Sequence, residues 1–411
     1  MLFFSDLHIH SKYSAACSQR MDLQGIASSA RTKGLNLLGT GDFFHEKWLK
    51  ELKENLREVE GKGIFYFQKT FFILSNEISL VFECLGKIRK VHVILLSPDF
   101  ETVDSLKDRL KNYGNMDEDG RPTLSISIQE AYEICKSINK DIGFIPAHAW
   151  TPWFGIFGSK SGFDSLQEAF GEKSISAIET GLSSDPEMNW RLSSLDNISL
   201  VSFSDAHSPE NLGRELTVFD IKDYFDLIDS LNKKDNKRLL YTVEVDPAFG
   251  KYHWDGHRKC GVSLSPKDSK KYNDICPVCK RPLTLGVEHR VEELADREKG
   301  FIPKNAIPFK TILPLHEIIA AVLNVSSNSK KVWEIYFKLV NCFGSELKVL
   351  LEARKEDLEK VCEEKIAKQI IKIRERKFKV QPGYDGVYGK LLLEEDCPKS
   401  FKEQKTLSDF L

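Results

Sequence analysis

The sequence has no run of about 18 consecutive apolar residues, which excludes a helix able to cross a bilayer. It also lacks a dominant charge, with a formal net charge of -2 over 411 residues. Such a balance excludes a uniformly basic nucleic-acid binder and leaves a local basic surface open. Cysteine usage of the disulfide type is missing as well. The nine cysteines are odd in number and mostly scattered, so no secreted disulfide framework is expected. Cys17, Cys84, Cys135, Cys342, Cys362 and Cys397 read as reduced structural residues; only Cys260, Cys276 and Cys279 are spaced to act together. The opening residues reach an acidic, histidine-bearing stretch too soon for a signal peptide. A cytoplasmic protein with no membrane partner is the expectation.

What is present supports a folded chain, since 41% hydrophobic and 29% charged residues suit a soluble protein with a real core. The length implies more than one domain. The apolar opening Met1-Leu2-Phe3-Phe4 leads into Asp6-Leu7-His8-Ile9-His10. Alternation on a strand sets Asp6, His8 and His10 on one face. Imidazole and carboxylate are usual ligands of zinc and its first-row neighbours.

The pattern then repeats. A helix over Leu23 to Lys33, capped by Asp22 and stopped by Gly34, precedes a strand ending at Asp42. After a charged helix from about Glu46 to Glu60, Phe71-Phe72-Ile73-Leu74 runs toward Glu77, and a short apolar strand holds His92. A helix over Ser125 to Asn139 leads to a strand delivering His148, and a later one delivers Asp205 and His207. Strands alternating with helices predict a parallel sheet, and ligands at successive strand ends predict a barrel with its chemistry at that end. The candidate metal ligands are His8, His10, Asp42, Glu77, His92, His148, Asp205 and His207, with Glu77, Asp205 and His207 as the catalytic core. They exceed the needs of one tetrahedral ion and suit roughly two or three. Adjacent ions polarise a phosphoryl oxygen and activate water, which is the chemistry of phosphoester hydrolysis.

Lys12, Tyr13 and Arg214 are candidate phosphate contacts near these ligands, with ordinary packing as the alternative. Trp150 and Trp153 follow His148 directly; they read either as rings that stack on an extruded base or as a packed lid. From Lys251 the composition turns polar and basic. His257-x-x-Cys260 and Cys276-Pro277-Val278-Cys279 have the spacing of a closed, structural zinc knuckle. His257 is preferred to His253 because its two-residue gap mirrors the other knuckle. Lys271 belongs to the basic set around it, a DNA-backbone grip or a solvated face. The last third is helical, over Leu315 to Leu323, Lys331 to Cys342, and two segments beyond Gly344. Its basic stretch from Lys368 to Lys379 offers a phosphate contact or a solvated helix end.

The order His8-x-His10, Asp42, Glu77, His92, His148, Asp205-x-His207 resembles the polymerase-and-histidinol-phosphatase (PHP) family over roughly residues 1 to 240. The resemblance implies a distorted (β/α)7 barrel with a trinuclear metal centre. Thr40-Gly41-Asp42-Phe43 stands where that family usually has Thr-Asp-His, so Asp42 or, as a second choice, His45 takes the histidine's place. The hydrophobic spacing after Gly344 resembles a helix-hairpin-helix without its usual glycine turn. The final Gln404-Lys405-Thr406-Leu407-Ser408-Asp409-Phe410-Leu411 resembles the motif that docks on the replication sliding clamp (PCNA), with Gln404, Leu407, Phe410 and Leu411 as contacts. The expected division is a catalytic domain over 1–245, a zinc-binding module over 246–300, a helical DNA-binding domain over 301–385 and a tail over 386–411.

This arrangement, with the glycine-rich Pro382 to Gly389, resembles the endonuclease Q family, which more often shows a fourth cysteine where His257 stands. The resemblance implies a DNA-repair endonuclease that incises 5′ to uracil, hypoxanthine, xanthine and abasic sites. It implies zinc in the knuckle, and zinc, Mg2+ or Mn2+ at the catalytic centre. The alternatives are a PHP phosphatase acting on a small phosphomonoester, and a non-enzymatic, clamp-associated DNA-binding scaffold.

Overall fold

The computed structural model describes residues 1–393. Ten strands frame the first part of the chain: β1 (Leu2–Asp6), β2 (Leu37–Gly39), β3 (Thr70–Cys84), β4 (Lys87–Ser97), β5 (Gly143–Pro146), β6 (Ala177–Glu179), β7 (Ser199–Val201), β8 (Leu216–Asp220), β9 (Leu239–Val245) and β10 (Phe309–Ile312). The sheet is mixed. β1, β2 and β3 run parallel, whereas β4 is antiparallel to both β3 and β5. On the other side β1 pairs antiparallel with β8, β8 antiparallel with β9, and β9 parallel with β10. β6 and β7 pair with each other in a separate two-stranded sheet.

The all-parallel expectation fails for a local reason. Only Leu85 and Gly86 separate β3 from β4, and both have positive φ (53° and 71°). Two left-handed residues make the tight turn whose twist matches an antiparallel hairpin. Burial tells why the strands nonetheless stay together: Phe3, Leu37, Ile73, Ile94, Ile145, Ala177, Val201 and Phe219, one from each of β1 to β8, share one apolar core.

The helix Leu23–Lys33 forms as its caps dictate, with the Asp22 side chain accepting the Gly25 N–H and Gly34 at φ 92° ending it. The charged helix stops at Asn55, because Arg57–Val59 turns back as an edge strand against Ile64–Phe67. Among the described residues no helix is long and apolar enough to cross a membrane.

The C-terminal helices Leu315–Leu323, Lys330–Phe343, Glu346–Leu351, Lys355–Glu359 and Glu364–Arg374 pack as one body. It is fastened to the first part by a buried ion pair, Lys33 Nζ to Glu346 Oε2 at 2.6 Å, with the Tyr336 hydroxyl donating to the same oxygen. Beyond the helices the chain returns to the segment that follows β9. Gly383 N–H donates to Ala248 and Gly389 N–H to Phe249, and a Cβ on either glycine would strike backbone within 2.3 Å. Only glycine allows so close an approach.

Candidate metal centre

β1 ends at Asp6, whose buried carboxylate accepts the N–H groups of Ser204 (3.0 Å) and Gly213 (2.8 Å). Asp6 therefore ties two loops together and is not among the groups whose ligand atoms converge. Burial pushes its pKa up to about 6. His8 and His10 follow, pinned by a backbone bridge between Ile9 and Ala206, which fixes Asp205 beside them. Glu77 lies inside β3 opposite Ile94, and His92 lies inside β4 opposite Ser79. His148 and Asp205 stand just beyond β5 and β7. Asp42, His148 and Asp205 have φ of 50°, 28° and 48°. Left-handed backbone is uncommon for such residues and tends to collect at functional sites.

Glu77 is the hinge of the arrangement. Its Oε2 faces His10 Nε2 at 3.2 Å and His8 Nε2 at 3.5 Å, and Asp205 Oδ1 is 3.2 Å from His10 Nε2. Its Oε1 faces His92 Nδ1 at 2.7 Å and His148 Nε2 at 3.1 Å. Two ligand sets, His8/His10/Glu77/Asp205 and Glu77/His92/His148, thus share one carboxylate. The first set has the chemistry to hold a cation. His8 Nε2, His10 Nε2 and Asp205 Oδ1 are buried, converge, and have no hydrogen-bond partner. Burial opposes charge on His8, yet Glu179 and Glu77 outweigh it and hold its pKa well above the ordinary value. Burial likewise opposes ionisation of Asp205, but His10 and His8 keep it far below the carboxylate range. The nitrogen and oxygen donors suit a first-row divalent ion or zinc.

Two predicted ligands stand outside both sets. Asp42 sits behind His10: its Oδ1 is 3.0 Å from Nδ1, and its Oδ2 accepts the Ser11 N–H and hydroxyl. It fixes the ring and does not face the shared space. His45, its alternative, stacks on Tyr13. His207 flanks His10 with ring centroids 4.5 Å apart, and its Nδ1 is 3.0 Å from the Asp205 carbonyl.

Two residues escaped the sequence reading. Glu179, at the end of β6, is 3.0 Å from His8 Nδ1 and accepts the His148 N–H at 2.6 Å. Arg121 donates to Glu77 Oε2 at 3.1 Å. Glu179 ends an apolar strand, a position the sequence does mark, whereas nothing in Gly120-Arg121-Pro122 marked the arginine.

A cavity of about 940 Å³ opens from this centre, with His92, His148, Asp205 and His207 in one wall. Arg214 lines it while donating to the Ser204 carbonyl at 2.9 Å, and Trp153 stands exposed in the wall. Trp150 is a correction. It is fully buried, its Nε1–H donating to Asn189 at 2.8 Å, so its ring belongs to the core and meets no base. Lys12 pairs with Glu51 at 2.9 Å and lies over Tyr13 and Trp48, which makes both Lys12 and Tyr13 packing residues here.

In the middle module His257, Cys260, Cys276 and Cys279 come together within 4.8 Å, with His257 Nδ1 3.2 Å from Cys279 Sγ. His253 faces Glu288 at 3.6 Å instead. Lys271 is paired with Asp268 at 2.8 Å. In the last basic stretch Arg374 donates to the carbonyls of Val349, Leu350 and Ala353, and Arg376 pairs with Glu187. Arg374 thus serves packing, while Arg376 is engaged by an acid at the surface. Gln404, Leu407, Phe410 and Leu411 lie outside the described residues.

Comparison with known proteins agrees across nearly the whole chain. The MJ0043 C-terminal domain family matches residues 314–377. The uncharacterized protein YqxK of Bacillus subtilis is 30% identical, covering 94% of this chain and 98% of that one. The uncharacterized protein MJ0043 of Methanocaldococcus jannaschii is 32% identical over 64% of this chain, a match spanning 34% of the relative's length. The crystal structure of the lesion-specific endonuclease PfuEndoQ from Pyrococcus furiosus superposes with a TM-score of 0.86 at 33% identity, covering 98% of both chains. Endonuclease Q bound to a 27-mer duplex with an abasic lesion at its active site gives the same TM-score and identity, covering 98% of this chain and 100% of that one.

Proposed function

The chain belongs to the endonuclease Q family, and from that premise we propose that its buried centre hydrolyses DNA on the 5′ side of deaminated bases (uracil, hypoxanthine, xanthine) and of abasic sites. It is a nuclease of DNA repair. The observation that carries the reading is the shared carboxylate, with one oxygen of Glu77 toward His8 and His10 and the other toward His92 and His148. Divalent ions held there would supply Lewis acidity and an activated water for phosphoester hydrolysis.

The chain's own residues do the rest. Asp42 and Glu179 orient the rings of His10 and His8 from behind, which leaves Nε2 of each free to ligate. Arg214 and His207 present polar groups to the cavity beside Asp205, where a scissile phosphate fits. A cavity of about 940 Å³ has room for an extruded nucleotide, and weakly paired or missing bases cost least to extrude.

The finer parts of the reading are proposed with it. The catalytic domain is taken as a distorted (β/α)7 PHP barrel, supported by the apolar core that strands β1 to β8 share. The catalytic domain is assigned to 1–245, a zinc-holding module to 246–300, a helical DNA-binding domain to 301–385 and the tail to 386–411, in a cytoplasmic protein. Zinc is assigned to the knuckle, and zinc, Mg2+ or Mn2+ to the catalytic centre. Gln404 to Leu411 is assigned to the sliding clamp (PCNA); deleting it should abolish co-elution with the clamp and spare nicking.

The test is incubation with end-labelled duplexes carrying one uracil, hypoxanthine, xanthine or abasic site, with Mg2+, Mn2+ or Zn2+ added. A single nick 5′ to the lesion, leaving 3′-hydroxyl and 5′-phosphate ends, is expected, with the undamaged duplex intact. No nicking, or equal cutting of undamaged DNA, would overturn the reading.

A further inference from the structure

Three aromatic rings from distant parts of the chain line the same cavity as the ligands. Trp153 follows His148, Tyr252 opens the zinc module, and Tyr388 sits in the glycine-rich return. Trp153 and Tyr252 stand edge to face with centroids 5.4 Å apart. Lys251 Nζ lies 5.6 Å from the Tyr252 ring and 5.9 Å from the Tyr388 ring. Trp153 is 42% exposed and Tyr388 67%. Single exposed rings are ordinary, but exposed rings gathered in the wall of one cavity mark a contact surface.

Local backbone holds the cluster in place. Phe154, at φ 67°, turns back to cover the His92 ring at 4.3 Å. Its carbonyl accepts the His92 N–H. This strained turn leaves Trp153 on the outer side. The Gly386 N–H donates to the Lys251 carbonyl, and the Asp385 carboxylate accepts the Arg258 N–H and the Thr284 hydroxyl. Tyr388 is thereby carried on a loop stitched down on both sides.

Resting on the function proposed above, we infer that Trp153, Tyr252 and Tyr388, with Lys251, form a platform on which an unstacked DNA base next to the lesion is received. Every base has an aromatic face, so such a platform tolerates sequence while it selects an opened duplex. The ammonium of Lys251 adds attraction for the neighbouring phosphate and for the rings.

The test uses the full chain carrying Asp205→Asn, so that bound DNA stays uncut. The duplex holds one abasic site, with 2-aminopurine on its 5′ or its 3′ side. Stacking quenches 2-aminopurine, and quenching on at least one side is expected with this parent. Adding Trp153→Ala, Tyr252→Ala or Tyr388→Ala should weaken binding about tenfold and restore the fluorescence, whereas Trp153→Phe should retain most of the quenching. Unchanged quenching in all three alanine variants would overturn the platform even where the wild-type chain nicks normally. A wild-type chain that neither binds nor nicks lesion DNA would overturn the function beneath it as well.

Discussion

The Glu179 carboxylate straddles Nδ1 of His8, with its oxygens at 3.0 and 3.1 Å, and accepts the His148 backbone N–H at 2.6 Å. One buried acid therefore orients a residue in each of the two ligand sets. A carboxylate behind an imidazole fixes its tautomer and raises the basicity of the other nitrogen, and losing it typically lowers metal affinity about 10- to 100-fold. Glu179→Gln should show a loss of that size when metal is titrated against a competing chelator. Wild-type affinity in the variant would mean that the carboxylate is mere packing.

Asp205 brings an unpartnered oxygen to the meeting point of His8 and His10. Asp205→Asn keeps the shape and removes the charge. Single-turnover nicking of an abasic duplex should fall by at least about a hundredfold, in line with losing one preorganised electrostatic group. DNA affinity by anisotropy should stay within about threefold of wild type, because contacts to many phosphates generally carry most of a DNA-binding protein's affinity. Robust nicking by the variant would remove Asp205 from the reaction.

The site was legible because histidines and acids recur in or just after successive apolar strands. His8, His10, Glu77, His92, His148 and Asp205 all converge. Sequence spacing could not say which face of a ligand's neighbour points inward. Asp42 bears the right group at the right strand end, yet Ser11 draws its Oδ2 and its Oδ1 rests behind His10. Trp150 and Trp153 read alike as text. The first finds Asn189 inside the core and the second finds solvent. Arg374 looked like part of a basic tract, but three carbonyls of a neighbouring helix end claim its guanidinium. Each miss is a tertiary contact between residues far apart in the chain, to which periodicity and composition are blind.

The middle module separates two histidines that spacing alone left close. His257 meets the three cysteines, while His253 turns to Glu288. His257→Ala should therefore lose bound zinc, measured by colorimetric release or elemental analysis, and open residues 246–300 to limited proteolysis. His253→Ala should keep its zinc. His257→Cys completes a four-cysteine set and should keep it too. Zinc retained by His257→Ala but lost by His253→Ala would reverse the assignment.

A buried acid pair, Glu244 within β9 and Glu215 just before β8, sets a pH dependence of stability. Glu244 is enclosed by the hydroxyls of Thr242, Thr180 and Ser202, at 2.5, 2.9 and 3.0 Å. Glu215 beside it takes the Val245 N–H at 3.1 Å and leaves Oε2 without a partner. Burial raises Glu244 from an ordinary 4.5 to about 8, and burial together with the Glu244 charge holds Glu215 well above the usual range. The folded chain thus binds more protons than the unfolded one between those values. The contribution of Glu244 is full below pH 4.5, declines as pH rises, and is lost through about pH 8. Glu244→Gln removes that titration at every pH. In unfolding measured at pH 5, 6.5 and 8 with metal content held equal, the variant should lose less stability than wild type as pH rises. Metal sites built on histidine act with the opposite sign, strengthening as protons leave, but they are common to both proteins and cancel in the difference. Identical slopes in the two would show that Glu244 is ionised in the folded chain throughout.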